Sequence, residues 1–149
     1  MFDLFKTDPV FDPQLGELRR KKGMWRGSTL LGAALVPLAI KGSRSTPDAE
    51  ALNIARGISS SYEGWQRVIA SAMFEHYIPY GEALAAGEAE SPPDRLLNIR
   101  TASNVWPHTS VEFVQITPLE GKLTVEIGYR VAWDEEHTLG ARFCKISNS

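Results

Sequence analysis

Apolar and polar residues alternate most regularly in the last third of the chain. Over 122–133 every second side chain is apolar, which is the period of a strand with one buried face. We expect a second strand at 111–117, a turn at 118–121 and a last strand at 139–146. The whole of 110–146 is therefore predicted to be a three-stranded antiparallel meander.

The first third shows short apolar runs separated by glycines. Runs bounded by Gly23, Gly27 and Gly32 are typical of hairpins, so 16–41 is predicted to form three antiparallel strands. The last of these strands contains Pro37, which has no backbone N–H to donate. We therefore expect that strand to lie at an edge of the sheet or to turn that side outward.

Between the two β segments, apolar residues recur at spacings of three and four, which is the period of one helix face. Pro47 suits a first helical turn and Thr46 an N-cap. The helical region is therefore predicted to span 47–86. Its apolar stripe consists of Ala51, Ala55, Ile58, Tyr62, Trp65, Ile69, Met73, Tyr77 and Tyr80.

Weak helix formers interrupt the centre of this stripe. Gly57, the serines at 59–61 and Gly64 lower its helix propensity. Ser60 and Glu63 have the spacing of a capping box, which starts a new helix. We therefore expect two helices that meet near 59–61.

The order of these elements predicts the fold class. Pro79 closes or kinks the second helix, and a loop follows over 87–104. We expect one α+β domain over 1–149, with a β-meander, two helices and a second β-meander. The predicted architecture is an antiparallel sheet of five to six strands with the helical pair packed on one face.

Composition and length exclude several classes of protein. The chain has 149 residues, of which 43% are hydrophobic, so it can form a core without disulfides. Cys144 is the single cysteine, which excludes an internal disulfide and a zinc site built on paired cysteines. We expect a cytoplasmic protein, because a reducing compartment suits this cysteine usage.

Charge is distributed unevenly along the chain. Residues 1–45 carry a net charge of +4 and residues 46–149 a net charge of −6, within a total of −2. The basic run 19–22 would divide its charge between two faces of a strand, so we expect it to protect a sheet edge, with no nucleic-acid partner. The apolar stretch 28–40 is too short to span a bilayer and contains Pro37, so no membrane contact is expected.

The densest group of polar side chains consists of Asp134, Glu135, Glu136 and His137, which we expect in a hairpin loop over 134–138. Three carboxylates and an imidazole suit a divalent cation or an acid and base pair. The same residues also suit an Asx turn with solvated glutamates, or contact with a partner. The purely structural interpretation is favoured, because neighbours in one loop do not converge on one point by themselves.

Trp106 and His108 are the other candidate binding residues. An exposed Trp106 near a loop would anchor a partner surface, but core packing is the favoured interpretation. The three histidines, His76, His108 and His137, lack metal-ligand spacing, so no metal site is expected. The chain contains no nucleophile elbow, phosphate loop or dinucleotide motif, so we expect neither catalytic residues nor a cofactor.

Two motifs resemble those of a small bacterial domain family of unknown function. The opening motif at 12–18 is similar to Asp-Pro-x-Phe-Gly-x-Leu, with Leu15 where phenylalanine is usual. The closing motif at 133–140 is similar to Trp-Asp-x-Glu-His-x-Leu-Gly, with Thr138 where glycine is common. The resemblance implies a bacterial cytoplasmic protein, in a set that includes immunity-type and accessory domains, and it implies no activity.

These observations favour a non-enzymatic protein-binding module of an immunity or regulatory type, with a protein partner at the candidate residues. A small hydrolytic or metal-assisted enzyme that uses 134–137, with His108, is the alternative. A homodimer through a sheet edge is a third interpretation. The position of the His137 ring distinguishes the binding module from the enzyme, because a concave pocket favours an enzyme and a convex, solvated position favours binding.

Overall fold

A computed structural model describes residues 7–88 and 97–144 of the chain. These residues form seven strands, one α-helix and one 3-10 helix. In chain order the elements are β1 (Val10–Asp12), β2 (Gly16–Lys21), β3 (Met24–Leu31), β4 (Ala34–Ile40), α1 (Ala49–Ala85), the 3-10 helix (Ala102–His108), β5 (Thr109–Leu119), β6 (Lys122–Val131) and β7 (Asp134–Cys144).

The seven strands form one sheet whose spatial order is the order of the chain. Neighbouring strands are antiparallel except β4 and β5, which run parallel where Leu38–Ile40 pairs with Val114–Ile116. The connection between these two strands contains α1, and such a crossover returns the chain to the same end of the sheet. The expected antiparallel sheet of five to six strands is therefore wrong, because the sheet is mixed and has seven strands.

The expected pair of helices is also wrong, since α1 is one helix of 37 residues. The side chain of Asp48 accepts a hydrogen bond from the Ala51 N–H at 2.9 Å, so Asp48, and not Thr46, is the N-cap. The helix continues through Gly57 and Pro79. A helical glycine costs about 1 kcal/mol relative to alanine, and unbroken burial of one helix face outweighs that cost. The buried face consists of Ala51, Ala55, Ile58, Tyr62, Ile69, Ala70 and Met73.

The segment between α1 and β5 differs from the predicted loop over 87–104. Residues 89–96 lie outside the described part of the chain. Residues 102–108 form the 3-10 helix, whose Val105 is fully buried. The segment therefore contributes to the core, which a simple connecting loop would not do.

The position of Pro37 explains how an inner strand tolerates a proline. β4 lies between β3 and β5, so it is not an edge strand. Pro37 is opposite Ser28, and the described pairing with β5 begins only at Leu38. The missing N–H therefore falls outside the parallel ladder.

The core lies between the sheet and the helices. Leu18, Trp25, Val114 and Ile127 are fully buried, and each belongs to the sheet face that packs against α1 and the 3-10 helix. Side chains alternate along a strand, so their neighbours point to the opposite face, here called the open face. Among the described residues, no helix packs on the open face. No described helix is long and apolar enough to cross a membrane.

Candidate functional site

The predicted loop over 134–138 is wrong, because β7 already begins at Asp134. Only Ala132 and Trp133 separate it from β6. The indole of Trp133 is 6% exposed, so the turn itself enters the core. The four polar candidates therefore stand at the start of an edge strand, directly beside a buried anchor.

The candidates at 135–137 leave the regular ladder as a bulge. Val131 of β6 is opposite Asp134, whereas the preceding Arg130 is opposite Thr138. Three residues of β7 are therefore inserted between consecutive pairs, and we call Glu135–His137 the bulge. Bulges change the direction of side chains relative to the regular ladder and are common next to functional sites.

Trp133 fixes the turn to helix α1. Its Nε1–H donates a hydrogen bond to Nδ1 of His76 at 2.9 Å. The indole can only donate, so His76 Nδ1 must be the acceptor in this hydrogen bond. The ring of Tyr77 meets the indole edge-on, with centroids 5.3 Å apart. Two consecutive helix residues therefore hold one turn residue.

Asp134 makes the second connection to the helix. Its carboxylate accepts hydrogen bonds from the Tyr80 hydroxyl at 2.9 Å and from Nδ1 of His137 at 3.0 Å. Desolvation acts to raise the pKa of Asp134, and the bonds from His137 and Tyr80 outweigh it and lower that pKa. Tyr80 also stacks on His76, with ring centroids 5.3 Å apart. We call these five residues, His76, Tyr77, Tyr80, Trp133 and Asp134, the clamp, because three contacts between them join the helix to the hairpin.

His137 is the candidate with the clearest electrostatic perturbation. The hydrogen bond to Asp134 raises the pKa of the imidazole, and the nearby charge of Glu136 acts in the same direction. The side chain of His137 is nevertheless 71% exposed, whereas that of Asp134 is 9% exposed. The pair therefore consists of a buried carboxylate and a solvated imidazole.

Glu135 and Glu136 lie beside His137 and are exposed to solvent. Neither takes part in a salt bridge with another described residue. Tyr80 of α1, whose hydroxyl donates to Asp134, is 36% exposed next to the bulge. The bulge therefore presents carboxylates without described salt bridges beside one partly exposed aromatic ring.

The other two candidates, Trp106 and His108, have different surroundings in the structure. Trp106 is half-buried and packs against Tyr129, with ring centroids 6.3 Å apart, so core packing accounts for it. The carbonyl of His108 accepts a hydrogen bond from the Ala132 N–H at 2.9 Å, which places His108 next to the turn. No hydrogen bond among the described residues joins the His108 ring to the bulge. The six candidates therefore lie at one end of the molecule without converging on one point.

The sequence did not indicate that the three helix residues of the clamp belong to the site. Tyr77 and Tyr80 belong to the apolar stripe of the helix, and His76 stands beside them. Nothing local distinguishes a stripe residue that packs in the core from one that grips a distant turn. Among residues 7–88 and 97–144, no group of three or more His, Cys, Asp or Glu side chains is arranged to hold a metal ion.

Asp12 organises the opposite end of the sheet. Its buried carboxylate accepts hydrogen bonds from the backbone N–H groups of Gln14 and Leu15 at 3.0 and 2.9 Å, and from Arg56 Nε at 2.8 Å. The bond from Arg56 lowers the pKa of Asp12, against the effect of burial. Gly16, with φ +79°, completes the turn in the left-handed region that favours glycine. The opening motif is therefore explained by the fold.

The family model that matches covers residues 14–146 and is described as a domain of unknown function, DUF6985. The chain belongs to the DUF6985 family. No curated protein and no solved structure matches it. Membership agrees with the expected domain of unknown function, and the role of this DUF6985 domain has to be argued from its own side chains.

Proposed function

We propose that this DUF6985 domain is a non-enzymatic protein-binding module, of an immunity or regulatory type, in the bacterial cytoplasm. The observation that carries the proposal is the exposed bulge Glu135–His137 held between two residues, Trp133 and Asp134, that are tied to α1. A protein partner is expected to contact this bulge.

Rigidity of the clamp supports this role. A flexible loop loses conformational entropy when it binds, whereas a surface already held in place loses less. Trp133 bonds to His76, and Asp134 bonds to Tyr80, so both residues before the bulge are held by the helix. The glutamates of the bulge are thereby presented from a rigid base.

The composition of the surface indicates the kind of partner. Glu135 and Glu136 carry charges without described ion-pair partners, and the partly exposed ring of Tyr80 contacts Asp134, the residue before the bulge. Protein interfaces commonly combine an apolar centre with a charged rim, and opposite charges speed association. A partner that offers basic side chains to the glutamates and an apolar contact to the Tyr80 ring fits this surface.

A small hydrolytic or metal-assisted enzyme is the second candidate, and one observation favours it. Asp134 orients His137 across 3.0 Å, which is how a carboxylate positions a general base. The imidazole is 71% exposed, however, and general bases act in sites that exclude water. The exposed ring therefore favours contact with a macromolecule over catalysis.

The experiment is a pull-down with the purified full chain as bait, followed by mass spectrometry and reconstitution of the retained protein. The baits are the wild type, the Glu135→Ala, Glu136→Ala, His137→Ala triple variant, and Glu63→Ala as a control on an exposed part of α1. We expect one purified partner to bind the wild type and the control, and to bind the folded triple variant at least about tenfold more weakly. Equal binding to all three baits, or the lack of any specific partner, would contradict the proposal.

A further inference from the structure

A second surface lies on the open face of the sheet, far from the bulge. Leu18 and Trp25 are fully buried against the helix side, so their neighbours Arg19 and Arg26 point to the open face. Arg19 and Arg26 are directly opposite each other on β2 and β3. The basic run therefore places part of its charge on one face, where Arg26 from the next strand joins it.

This pairing places two like charges side by side, and Arg26 Nε also donates a hydrogen bond to the Lys21 carbonyl at 2.9 Å. Like charges directly opposite each other on neighbouring strands destabilise a sheet. Glu17 forms a salt bridge with Arg19, and neither Lys21 nor Arg26 forms one with a described residue. Protection of a sheet edge suits lysine and arginine on an outer strand, but Arg26 belongs to β3, which is an inner strand.

Large apolar side chains are exposed on the same part of the open face. Leu30 of β3 is directly opposite Leu35 of β4, and these side chains are 49% and 69% exposed. Phe11 of β1 is 70% exposed, and its opposite residue is Glu17. Residues 27–40 contain no charged side chain at all. Cations and apolar groups therefore share the β1–β4 half of the open face.

We propose that this half-face is a docking surface for an acidic segment of a protein that also carries apolar side chains. The half-face is defined by Phe11, Arg19, Lys21, Arg26, Leu30 and Leu35. It is a different surface from the bulge, so its test is independent of the function proposed above.

The area of the half-face fits a weak, reversible protein contact. Strands β1 to β4 contain 3, 6, 8 and 7 residues, and at about 3.3 Å per residue and a spacing of about 4.8 Å they cover roughly 380 Å². Counted over both partners, this is roughly 760 Å², which lies at the low end for a transient protein interface. A short acidic segment has enough length to cover it.

The combination of side chains selects the chemistry of the partner. Guanidinium groups bind carboxylates with paired hydrogen bonds. Burial of an exposed leucine side chain is favourable only when apolar atoms of the partner cover it. A nucleic-acid strand would neutralise the arginines and leave Leu30 and Leu35 without apolar partners. An acidic protein segment with leucine or valine side chains can bind both the cationic and the apolar side chains of the half-face.

The test uses a fluorescently labelled peptide in which glutamate and leucine alternate, with binding to the full chain followed by anisotropy at low and high salt. We expect Arg19→Gln, Arg26→Gln to weaken binding about tenfold and to reduce its salt dependence. Leu30→Ser, Leu35→Ser should weaken binding several-fold and leave the salt dependence unchanged. Arg130→Gln is the matched control, because Arg130 is exposed on the other half of the same face and pairs with Glu112.

Three further probes separate the partner classes: a peptide with lysine in place of glutamate, a single-stranded oligothymidylate, and vesicles of phosphatidylcholine with phosphatidylserine. The proposal requires that the glutamate peptide binds more tightly than all three. It is overturned if the glutamate peptide does not bind, if folded half-face variants bind it as well as the wild type does, or if another probe binds more tightly. Circular dichroism and thermal midpoints confirm that each variant is folded before its affinity is compared.

Discussion

Trp133 of the β6–β7 turn donates its indole N–H to Nδ1 of His76 in α1 across 2.9 Å, although 57 residues separate the two along the chain. This bond joins the C-terminal hairpin to the far part of the helix. In this bond His76 Nδ1 is the acceptor, because the indole can only donate. The bulge that follows is therefore placed by a contact with the helix.

Replacement of Trp133 by alanine is expected to destabilise the fold by about 3 to 5 kcal/mol, because a large buried ring is lost and a cavity remains. The urea-unfolding midpoint of the purified chain measures this effect. An unchanged midpoint would show that the indole is not a core anchor.

Replacement of His76 by alanine tests the hydrogen bond separately. The indole N–H of Trp133 then loses its acceptor, which costs about 1 to 3 kcal/mol for a buried donor. A double-mutant cycle with Trp133→Phe isolates the coupling, since phenylalanine keeps most of the apolar volume and removes the donor. Strict additivity of the two changes would contradict a direct bond.

The Asp134–His137 pair gives a pH dependence whose sign follows from the direction of each shift. The pKa of His137 is raised above 6.5, so the pair contributes its full stability below 6.5 and loses it as the pH rises through the raised value. The pKa of Asp134 is lowered from 3.8, so on the acid side the contribution is lost as the pH falls through the lowered value. In Asp134→Asn, the NMR titration of His137 should move back toward 6.5. The same imidazole pKa in both proteins would argue against the pair.

Asp12 should make the fold sensitive to acid. Its pKa is lowered by the bond from Arg56, so its stabilising contribution is complete above 3.8 and disappears as the pH falls through the lowered folded value. Asp12→Ala at neutral pH should cost about 2 to 4 kcal/mol, since two backbone N–H groups and a guanidinium lose their acceptor. Chemical denaturation at pH 7 and at pH 3 measures both effects. If Asp12→Ala lowers the free energy of unfolding by the same amount at pH 7 and at pH 3, this role is contradicted.

Gly128 accommodates the ring of Phe113 on the open face. A Cβ at position 128 would lie 2.1 Å from that ring, so Gly128→Ala is expected to destabilise the fold by about 1 to 3 kcal/mol. Adding Phe113→Leu should recover part of the loss. Gly140→Ala is the control, because its Cβ would meet only the flexible side chain of Glu126, at 3.0 Å. The thermal unfolding midpoints of the three variants test this steric clash. Equal midpoints for Gly128→Ala and Gly140→Ala would refute the steric explanation.

The glutamates of the bulge are expected to matter little for folding. Glu135→Ala and Glu136→Ala should each change the unfolding free energy by no more than about 0.5 kcal/mol, because exposed side chains without partners contribute little to stability. Marked unfolding of either variant would assign these carboxylates a structural role and weaken the case for partner contact.

Local sequence patterns predicted the β7 residues of the candidate site and did not predict its helix residues. The polar group Asp134–His137 stands out in the sequence, because four polar residues interrupt an apolar alternation. His76 and Tyr80 do not stand out, because their role depends on which turn faces the end of the helix. The predicted hairpin loop over 134–138 is also wrong, since Trp133 is buried and β7 begins at the next residue, Asp134.

The sequence by itself determined the period of each element, since the twofold alternation of 122–133 and the helical stripe of α1 are local consequences of backbone geometry. It also determined that no pair of cysteines and no common catalytic motif is present. Only the tertiary structure decided that the helix is continuous, that β4 and β5 are parallel, and that Arg19 faces Arg26. The physical reason is that burial and strand pairing depend on residues far apart in the chain, and these terms outweigh the local propensities that predicted a break near 59–61.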